Sequence, residues 1–125
     1  MTKRHREGVK MESDAVETMR PAVVCLCGSS RFAGAFRGAE LAETLAGRIV
    51  LSIGCHWHSD EALGLTDQHK ADLDELHLRK IDLADQVLIL NVDGYIGEST
   101  SRELAYARTH GKHIRFLESV SKADA

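Results

Sequence analysis

An apolar segment, a glycine-containing loop and a helix follow one another over residues 86–107, and this order strongly limits the possible folds. Gln86–Leu90 (QVLIL) is nearly continuously apolar and is bounded by polar residues, which is typical of a strand buried on both faces of a parallel sheet. Gly94 and Gly97 turn the chain, and Gly111 is placed to end the following helix. The segment therefore predicts a strand-loop-helix unit of an α/β protein.

Glu103 in this unit admits two interpretations. Thr100 and Glu103 fit a capping box, in which the Thr hydroxyl and the Glu carboxylate each bond a backbone N–H, and Ser99 is an alternative N-cap. In the second interpretation, Glu103 lies in the first helical turn at the carboxyl end of a buried strand, where open α/β sheets bind ligands. The helix dipole there favours an ionised carboxylate, which suits a nucleophile or a stabiliser of positive charge. The local pattern does not separate these interpretations.

Strands and helices are predicted to alternate along the rest of the chain. Short apolar runs predict the strands, and residues 66–85 carry apolar side chains at approximately helical spacing behind Thr66, a good N-cap. Besides the central unit, the predicted strands are 22–27, 48–53 and 112–117, and the predicted helices are about 32–46 and 66–85.

This order predicts an α/β fold, a three-layer sandwich with a small parallel sheet of four to five strands, flavodoxin-like or Rossmann-like. If the first and third strands are neighbours, the loops 28–31 and 94–103 face one crevice at the topological switch point. Residues 21–118 are expected to form this domain. A mobile N-terminal arm (1–20) is expected to precede it, and a polar tail (119–125) to follow it.

The turn Gly28-Ser29-Ser30-Arg31 after the first strand predicts an anion site. Free N–H groups and hydroxyls converge there at the positive end of a helix, and Arg31 can add a bidentate contact. An ordinary strand-to-helix turn with a serine cap explains the same residues equally well. The turn has neither a complete P-loop nor the three-glycine dinucleotide motif, so nucleoside triphosphate hydrolysis and nicotinamide chemistry are not indicated and no cofactor is expected.

The cysteines and histidines do not form a recognised metal-binding pattern. Cys25 and Cys27 lie on the same face of the first strand, but C-x-C alone is a weak signal, and small buried hydrophobic residues are the better interpretation. The loop Gly54–Asp60 holds a Cys and an H-x-H pair without a third ligand at a known spacing, so no metal is predicted. Trp57 in this loop either covers the core or provides an apolar wall against which a base stacks.

The charge balance and hydropathy limit the partners and the compartment. A net charge of -3 over 125 residues argues against a protein that mainly holds long nucleic acid, and favours a small-molecule substrate. The apolar stretches are too short to span a bilayer, and the N-terminus lacks the apolar core of a secretory signal. We therefore expect no membrane association, a cytoplasmic location and three reduced thiols.

Several motifs in order resemble the nucleoside 2-deoxyribosyltransferase-like superfamily, which includes deoxynucleoside 5′-monophosphate N-glycosidases. The resemblance extends from about Val23 to Leu117 and so covers the whole predicted domain. Its carriers are Cys27-Gly28-Ser29-Ser30-Arg31, the helix end Ile81–Asp85 before Val87–Asn91, and Gly94–Thr100 leading to Glu103 and Ala107.

The resemblance assigns roles to individual residues. A glutamate in the last motif attacks the anomeric carbon in that family, and Glu103 is the matching position here. A fixed carboxylate beneath the sugar stabilises an oxocarbenium-like transition state and can trap a glycosyl intermediate. The 28–31 loop and Ser99 would hold the 5′ hydroxyl or phosphate. The predicted substrate-binding residues are Gly28, Ser29, Ser30, Arg31, Trp57, Asn91, Gly97, Ser99 and Thr100.

One position departs from the family pattern. Family enzymes commonly carry an aspartate on the helix before the third strand, where it manages the leaving base or the sugar hydroxyls. An ungapped count places His77 there, with Asp74 and Asp82 as candidates if the register slips. His77 suits a general acid near neutral pH, since an unperturbed histidine has a pKa of about 6.5. The departure is equally compatible with a member that binds without turnover.

The first hypothesis is an enzyme that cleaves the N-glycosidic bond of a nucleoside or nucleoside 5′-monophosphate, by hydrolysis or base exchange. The alternative is a non-catalytic nucleotide-binding or sensing module on the same fold. A third interpretation, similarity to cytokinin-activating phosphoribohydrolases, rests on the Ser-Thr-x-x-Glu pattern and ranks lower because their longer Gly-rich motif is absent. The resemblance also implies a homodimer or a higher homo-oligomer. The base, the sugar and the need for phosphate stay open.

Overall fold

Every strand and helix expected from the sequence is present in the computed structural model, which describes residues 20–54 and 63–120. The predicted N-terminal arm and C-terminal tail lie almost entirely outside the described residues. In chain order the elements are β1 (Val23–Cys27), α1 (Ala33–Leu45), β2 (Ile49–Leu51), α2 (Asp67–Leu83), β3 (Gln86–Ile89), a 3₁₀ turn (Val92–Gly94), α3 (Glu98–Thr109) and β4 (His113–Phe116).

The four strands form one parallel sheet in the order β2-β1-β3-β4. Cys25 of β1 is paired with Leu51 on one side and with Val87 on the other, so β1 is central. From β1 the chain first adds a strand on one side and then crosses to add β3 on the other. This reversal makes the carboxyl ends of β1 and β3 the switch point at which ligands bind in such sheets.

Side chains of β1 and β3 alternate between two apolar layers, as the two-residue period of a strand requires. Val24 and Leu26 pack on the face covered by Phe36 of α1. Cys25 and Cys27 pack on the opposite face, which α2 and α3 cover. The predicted three-layer α/β sandwich is therefore confirmed. None of the helices in the described ranges has both the length and the hydropathy needed to cross a bilayer.

Helix α3 begins earlier than the sequence predicted, and the proposed capping box is wrong. Gly97 is the N-cap, and its carbonyl accepts the first helical hydrogen bond from the Ser101 N–H at 2.8 Å. Thr100 is therefore already inside the first turn, and Glu103 falls in the second. Glu98 meets the positive helix end instead. Gly111 ends the helix at a φ of 69°, as expected for a C′ glycine.

Helix α2 carries the capping box that the chain does form. The Thr66 hydroxyl accepts from the His69 N–H at 3.1 Å, and Nδ1 of His69 accepts from the Thr66 N–H at the same distance. The prediction of Thr66 as the cap is confirmed. This reciprocal pair positions the start of α2, whose later turns face the switch point.

Candidate active site

A cavity of about 440 Å³ opens at the carboxyl ends of β1 and β3. Side chains from the loop after β1, from α2, and from the loop and helix after β3 line it. The lining residues are Gly28, Ser29, Ser30, Ile53, Leu63, Leu65, Lys70, Leu73, Asp74, Leu76, His77, Lys80, Tyr95, Gly97, Glu98, Ser99, Thr100 and Glu103. The two loops singled out in the sequence therefore share one cavity.

The loop after β1 supplies the polar groups at one part of the cavity wall. Gly28 allows a close approach of the strands, because a Cβ there would lie 3.0 Å from the Leu90 Cβ. The Ser29 hydroxyl accepts from the Arg31 N–H at 3.3 Å, and the loop turns directly into α1. Ser29 and Ser30 thus reach the cavity at the start of a helix, where an anion is favoured.

Arg31 belongs to the rim of this site and not to its lining. Its guanidinium lies 4.5 Å from the centroid of the Tyr95 ring and donates to the Tyr95 hydroxyl at 3.4 Å. The contact joins the loop after β1 to the loop after β3. The predicted phosphate contact of Arg31 would therefore require its side chain to leave the Tyr95 ring.

The segment after β3 brings four of its predicted residues, Gly97, Ser99, Thr100 and Glu103, to the cavity. Gly97 lies against the Tyr95 side chain, since a Cβ at this position would be 2.9 Å from the Tyr95 hydroxyl oxygen. Ser99 is exposed, whereas Thr100 is only 3% exposed. This segment therefore brings both an exposed serine and a buried threonine to the cavity.

Two other predicted binding residues lie away from the cavity lining or outside the described chain. Asn91 is buried, and its side-chain amide donates to the Glu118 carbonyl at 3.0 Å and accepts from the Glu118 N–H at 2.9 Å. Asn91 thus joins the end of β3 to the chain after β4. Trp57 and the Cys-His loop around it lie outside the described residues.

Helix α2 contributes a face that the sequence interpretation largely missed. Lys70, Asp74, His77 and Lys80 all line the cavity, at the three- and four-residue spacing of one helical face. The Lys80 ammonium donates to the Ser52 carbonyl at 2.6 Å. The three- and four-residue spacing of these side chains is visible in the sequence. The sequence does not show which side of α2 faces the site.

The three candidates for the family aspartate have different positions on α2. Asp74 lines the cavity, with its side chain 56% exposed and 3.6 Å from the Arg102 guanidinium. Asp82 instead accepts from the Tyr106 hydroxyl at 2.6 Å and pairs with Arg79, and it is not among the lining residues. His77 lines the cavity but is 5% exposed. Asp74 and His77 are therefore better candidates than Asp82 for the position of the family aspartate.

Behind the cavity wall, His77 and Glu103 meet the two buried cysteines of β1. Nε2 of His77 lies 3.6 Å from Sγ of Cys25 and 3.4 Å from Sγ of Cys27. Glu103 is the other ionisable neighbour of Cys27, and its charge raises the pKa of the Cys27 thiol. The cysteines are buried, as predicted, but their interpretation as hydrophobic residues omitted these polar contacts, which join strand β1 to helices α2 and α3.

The contacts in this cluster shift the pKa values of all four groups. Hydrogen bonding by Cys27 lowers the pKa of the Cys25 thiol to about 6, although burial acts in the opposite direction. The same hydrogen bond and burial both raise the pKa of the Cys27 thiol. Burial lowers the pKa of His77, but the hydrogen bond and charge of Cys25 outweigh it, so the net shift is upward. Cys25 and His77 therefore favour a thiolate-imidazolium pair.

Glu103 has a different electrostatic setting from the one its sequence position suggested. Burial raises the pKa of its carboxyl group, and the positive charge of His77 only partly opposes this. The second-turn position also takes Glu103 beyond the reach of the strongest helix-dipole effect. The sequence led us to expect that the helix dipole ionises Glu103. In the structure, burial favours its neutral acid form and the charge of His77 favours its carboxylate form.

The arrangement can place a carboxylate beside a bound molecule whose anionic or hydroxyl end lies at the Gly-Ser-Ser loop. Leu65 and Leu73 supply apolar surface, while Asp74, Lys70 and Lys80 supply both signs of charge. Such a cavity suits a small ligand with an apolar ring and a polar end.

In comparisons with known proteins, the chain matches no protein-family model, and no curated protein matches it.

Proposed function

We propose that this protein cleaves the N-glycosidic bond of a nucleoside or nucleoside 5′-monophosphate, as a hydrolase or a base-exchange deoxyribosyltransferase. The carrying observation is that Glu103 and the Gly28-Ser29-Ser30 turn, far apart in sequence, line one cavity at the switch point of the sheet. The motif resemblance supports the same assignment. Glu103 is the nucleophile, and the turn holds the 5′ end of the sugar.

The proposed reaction makes use of this placement. As the bond from C1′ to the base nitrogen breaks, positive charge develops on the sugar, and the Glu103 carboxylate stabilises it and bonds C1′. The base leaves with a proton. Water, or a second base, then attacks C1′ and releases the carboxylate. Contacts at the 5′ end orient C1′ over Glu103 and lower the entropic part of the barrier.

Two residues on α2 are suited to the rest of the substrate. Asp74 is half exposed in the cavity, so its carboxylate is available to accept hydrogen bonds from sugar hydroxyls or from the leaving base. His77 is the candidate proton donor to the base, although its Nε2 faces the two cysteine sulfurs. Ser29 and Ser30 in the loop after β1, together with the two cavity-lining lysines of α2, favour a 5′-phosphate over a neutral 5′ end.

A second candidate function, the nucleotide-binding or sensing module, is favoured by one observation. The buried Glu103 has a raised pKa, which decreases the fraction of the ionised nucleophile. A module of this kind would use the same cavity without breaking a bond. The two candidates therefore differ in product formation and not in where the ligand binds.

The deciding experiment is a chromatographic assay of base release. The full chain is incubated with ribo- and deoxyribonucleosides and their 5′-monophosphates, with and without a second free base, and thermal unfolding is followed in parallel. We expect at least one substrate to yield free or exchanged base. Ligand-dependent stabilisation without product would establish the sensing module instead. Absence of both effects across the panel would contradict both functions.

We expect Asp74→Asn to lower kcat/KM roughly 10-fold on the substrate found, because a neutral amide makes weaker hydrogen bonds to hydroxyls than a carboxylate does. Asp72→Asn is the matched control. Asp72 is exposed on the same helix, accepts from Gln68 at 2.8 Å and is not among the cavity-lining residues. Equal kcat/KM values for the two variants would contradict a contact between Asp74 and the substrate.

A further inference from the structure

The buried cluster on β1 and α2 contains three side chains that are metal ligands in proteins. Sγ of Cys25, Sγ of Cys27 and Nε2 of His77 all lie within 4.8 Å of one another, and all three residues are buried. Two are on a central strand and one is in a helix, so their backbones are held by regular structure. Thiolate and imidazole donors together are typical of zinc sites.

The spacing of these atoms matches a tetrahedral ion. With bonds of about 2.3 Å to sulfur and about 2.05 Å to nitrogen, a tetrahedral zinc separates its sulfur and nitrogen ligands by about 3.6 Å. The two observed separations of Nε2 from sulfur are 3.6 and 3.4 Å. Both sulfur-to-nitrogen distances of the cluster therefore match those of such a site, and the two sulfurs lie within 4.8 Å of each other.

The cavity gives the cluster access to a fourth ligand. His77 belongs both to the cluster and to the cavity lining, while the group of mutually close ligand atoms contains, among the residues that the structure describes, only Cys25, Cys27 and His77. The side of the cluster at His77 is therefore the one from which an ion and a water molecule can reach it. A water molecule is an accepted fourth zinc ligand beside two thiolates and an imidazole.

We propose that Cys25, Cys27 and His77 form a binding site for a zinc-type divalent ion, with a water molecule as the fourth ligand. Binding forms two metal-sulfur bonds, one metal-nitrogen bond and one metal-oxygen bond. The thiol and imidazolium protons that the ligands carry pass to solvent. No electron is transferred. The proposal does not rest on the glycosidic reaction, but the site shares His77 with it, so a bound ion would prevent His77 from donating a proton in that reaction.

The test is a cobalt titration of the full, reduced, metal-free chain. Cobalt(II) replaces zinc in such sites and reports its own coordination. We expect a near-ultraviolet sulfur-to-cobalt charge-transfer band and intense visible bands of tetrahedral cobalt, both lost when Zn²⁺ is added. A weak octahedral spectrum without the charge-transfer band would overturn the proposal, because the cysteines would then be only hydrogen-bonded to His77.

Variants identify the ligands. Cys25→Ser and Cys27→Ser are each expected to decrease the charge-transfer band by about half and to weaken Zn²⁺ binding at least about 100-fold, since even changes outside the ligand set weaken binding by 10- to 100-fold. Cys55→Ser, at the third cysteine of the chain, is the control and should keep the full band. Circular dichroism checks folding, and Cys25→Ala and Cys27→Ala replace any serine variant that does not fold. A full band in both β1 variants would contradict the assignment.

Discussion

Glu103→Gln is expected to decrease base release at least about 10³-fold while the domain stays folded. The amide keeps the size of the side chain but has no charge to stabilise the developing oxocarbenium ion and is too poor a nucleophile to bond C1′. The loss should appear in kcat, because the carboxylate acts in the transition state and not in ground-state binding. The measurement is single-turnover base release on the substrate found with the nucleoside panel. A chelator is included so that no metal binds His77.

Glu98→Gln is the matched control for this variant. Glu98 begins the same helix and also lines the cavity, but its side chain is 92% exposed and pairs only loosely with Arg102 at 3.6 Å. We expect it to keep base release within about 3-fold, as removal of an exposed charge changes energies by less than about 1 kcal/mol. Comparable losses in both variants would indicate an effect of cavity charge and would contradict a nucleophilic role for Glu103.

The fold was predictable because its determinants are local and repeated. Gln86–Leu90 and Ala22–Cys27 are short apolar runs typical of buried parallel strands, and Gly111 marks a helix end through its positive φ. The start of α3 was not predictable in the same way. Gly97 caps without a side-chain hydrogen bond, whereas the nearby Ser99 is a stronger capping residue by type.

Only those site residues that follow closely after the end of a strand could be predicted from the sequence. The serines after β1 and Glu103 after β3 follow from strand order, but the contacts of Cys25 and Cys27 depend on which face of α2 turns inward. A shift of one residue in α2 rotates its side chains by about 100°, which exceeds the width of one face. His77 was identified through the family comparison, while Lys70 and Lys80 had no signal apart from their spacing.

A second buried charge cluster lies on the opposite face of the sheet, away from the cavity, and joins α1 to β4. Glu43 is 7% exposed, and its carboxylate accepts two hydrogen bonds from the Arg115 guanidinium and pairs with Arg48 at 3.3 Å. Arg115 also donates to Gln86 at 2.7 Å. The hydrogen bond from Arg115, followed by the charges of both arginines, lowers the pKa of Glu43 despite its burial.

We expect Glu43→Ala to lower the free energy of unfolding by about 3 kcal/mol at neutral pH, and the melting temperature by roughly 10 °C. Removing Glu43 leaves the partly buried Arg115 without a carboxylate partner, and the partial exposure of both arginines keeps the loss at the lower end of the range for buried pairs. Denaturant unfolding followed by circular dichroism measures the change. Glu75→Ala, which removes an exposed carboxylate paired with Arg79 on α2, should change stability by less than about 0.5 kcal/mol.

The pH dependence separates the charge of Glu43 from its packing. A carboxyl group whose pKa is lower in the folded state stabilises the protein above its ordinary pKa of 4.5, and this contribution is lost as the pH falls through the lowered folded value. The stability difference between the wild type and Glu43→Ala should therefore be constant from pH 7 to about 5 and shrink below 4.5. A difference that persists unchanged under acid conditions would show that Glu43 acts through its packing and not through its charge.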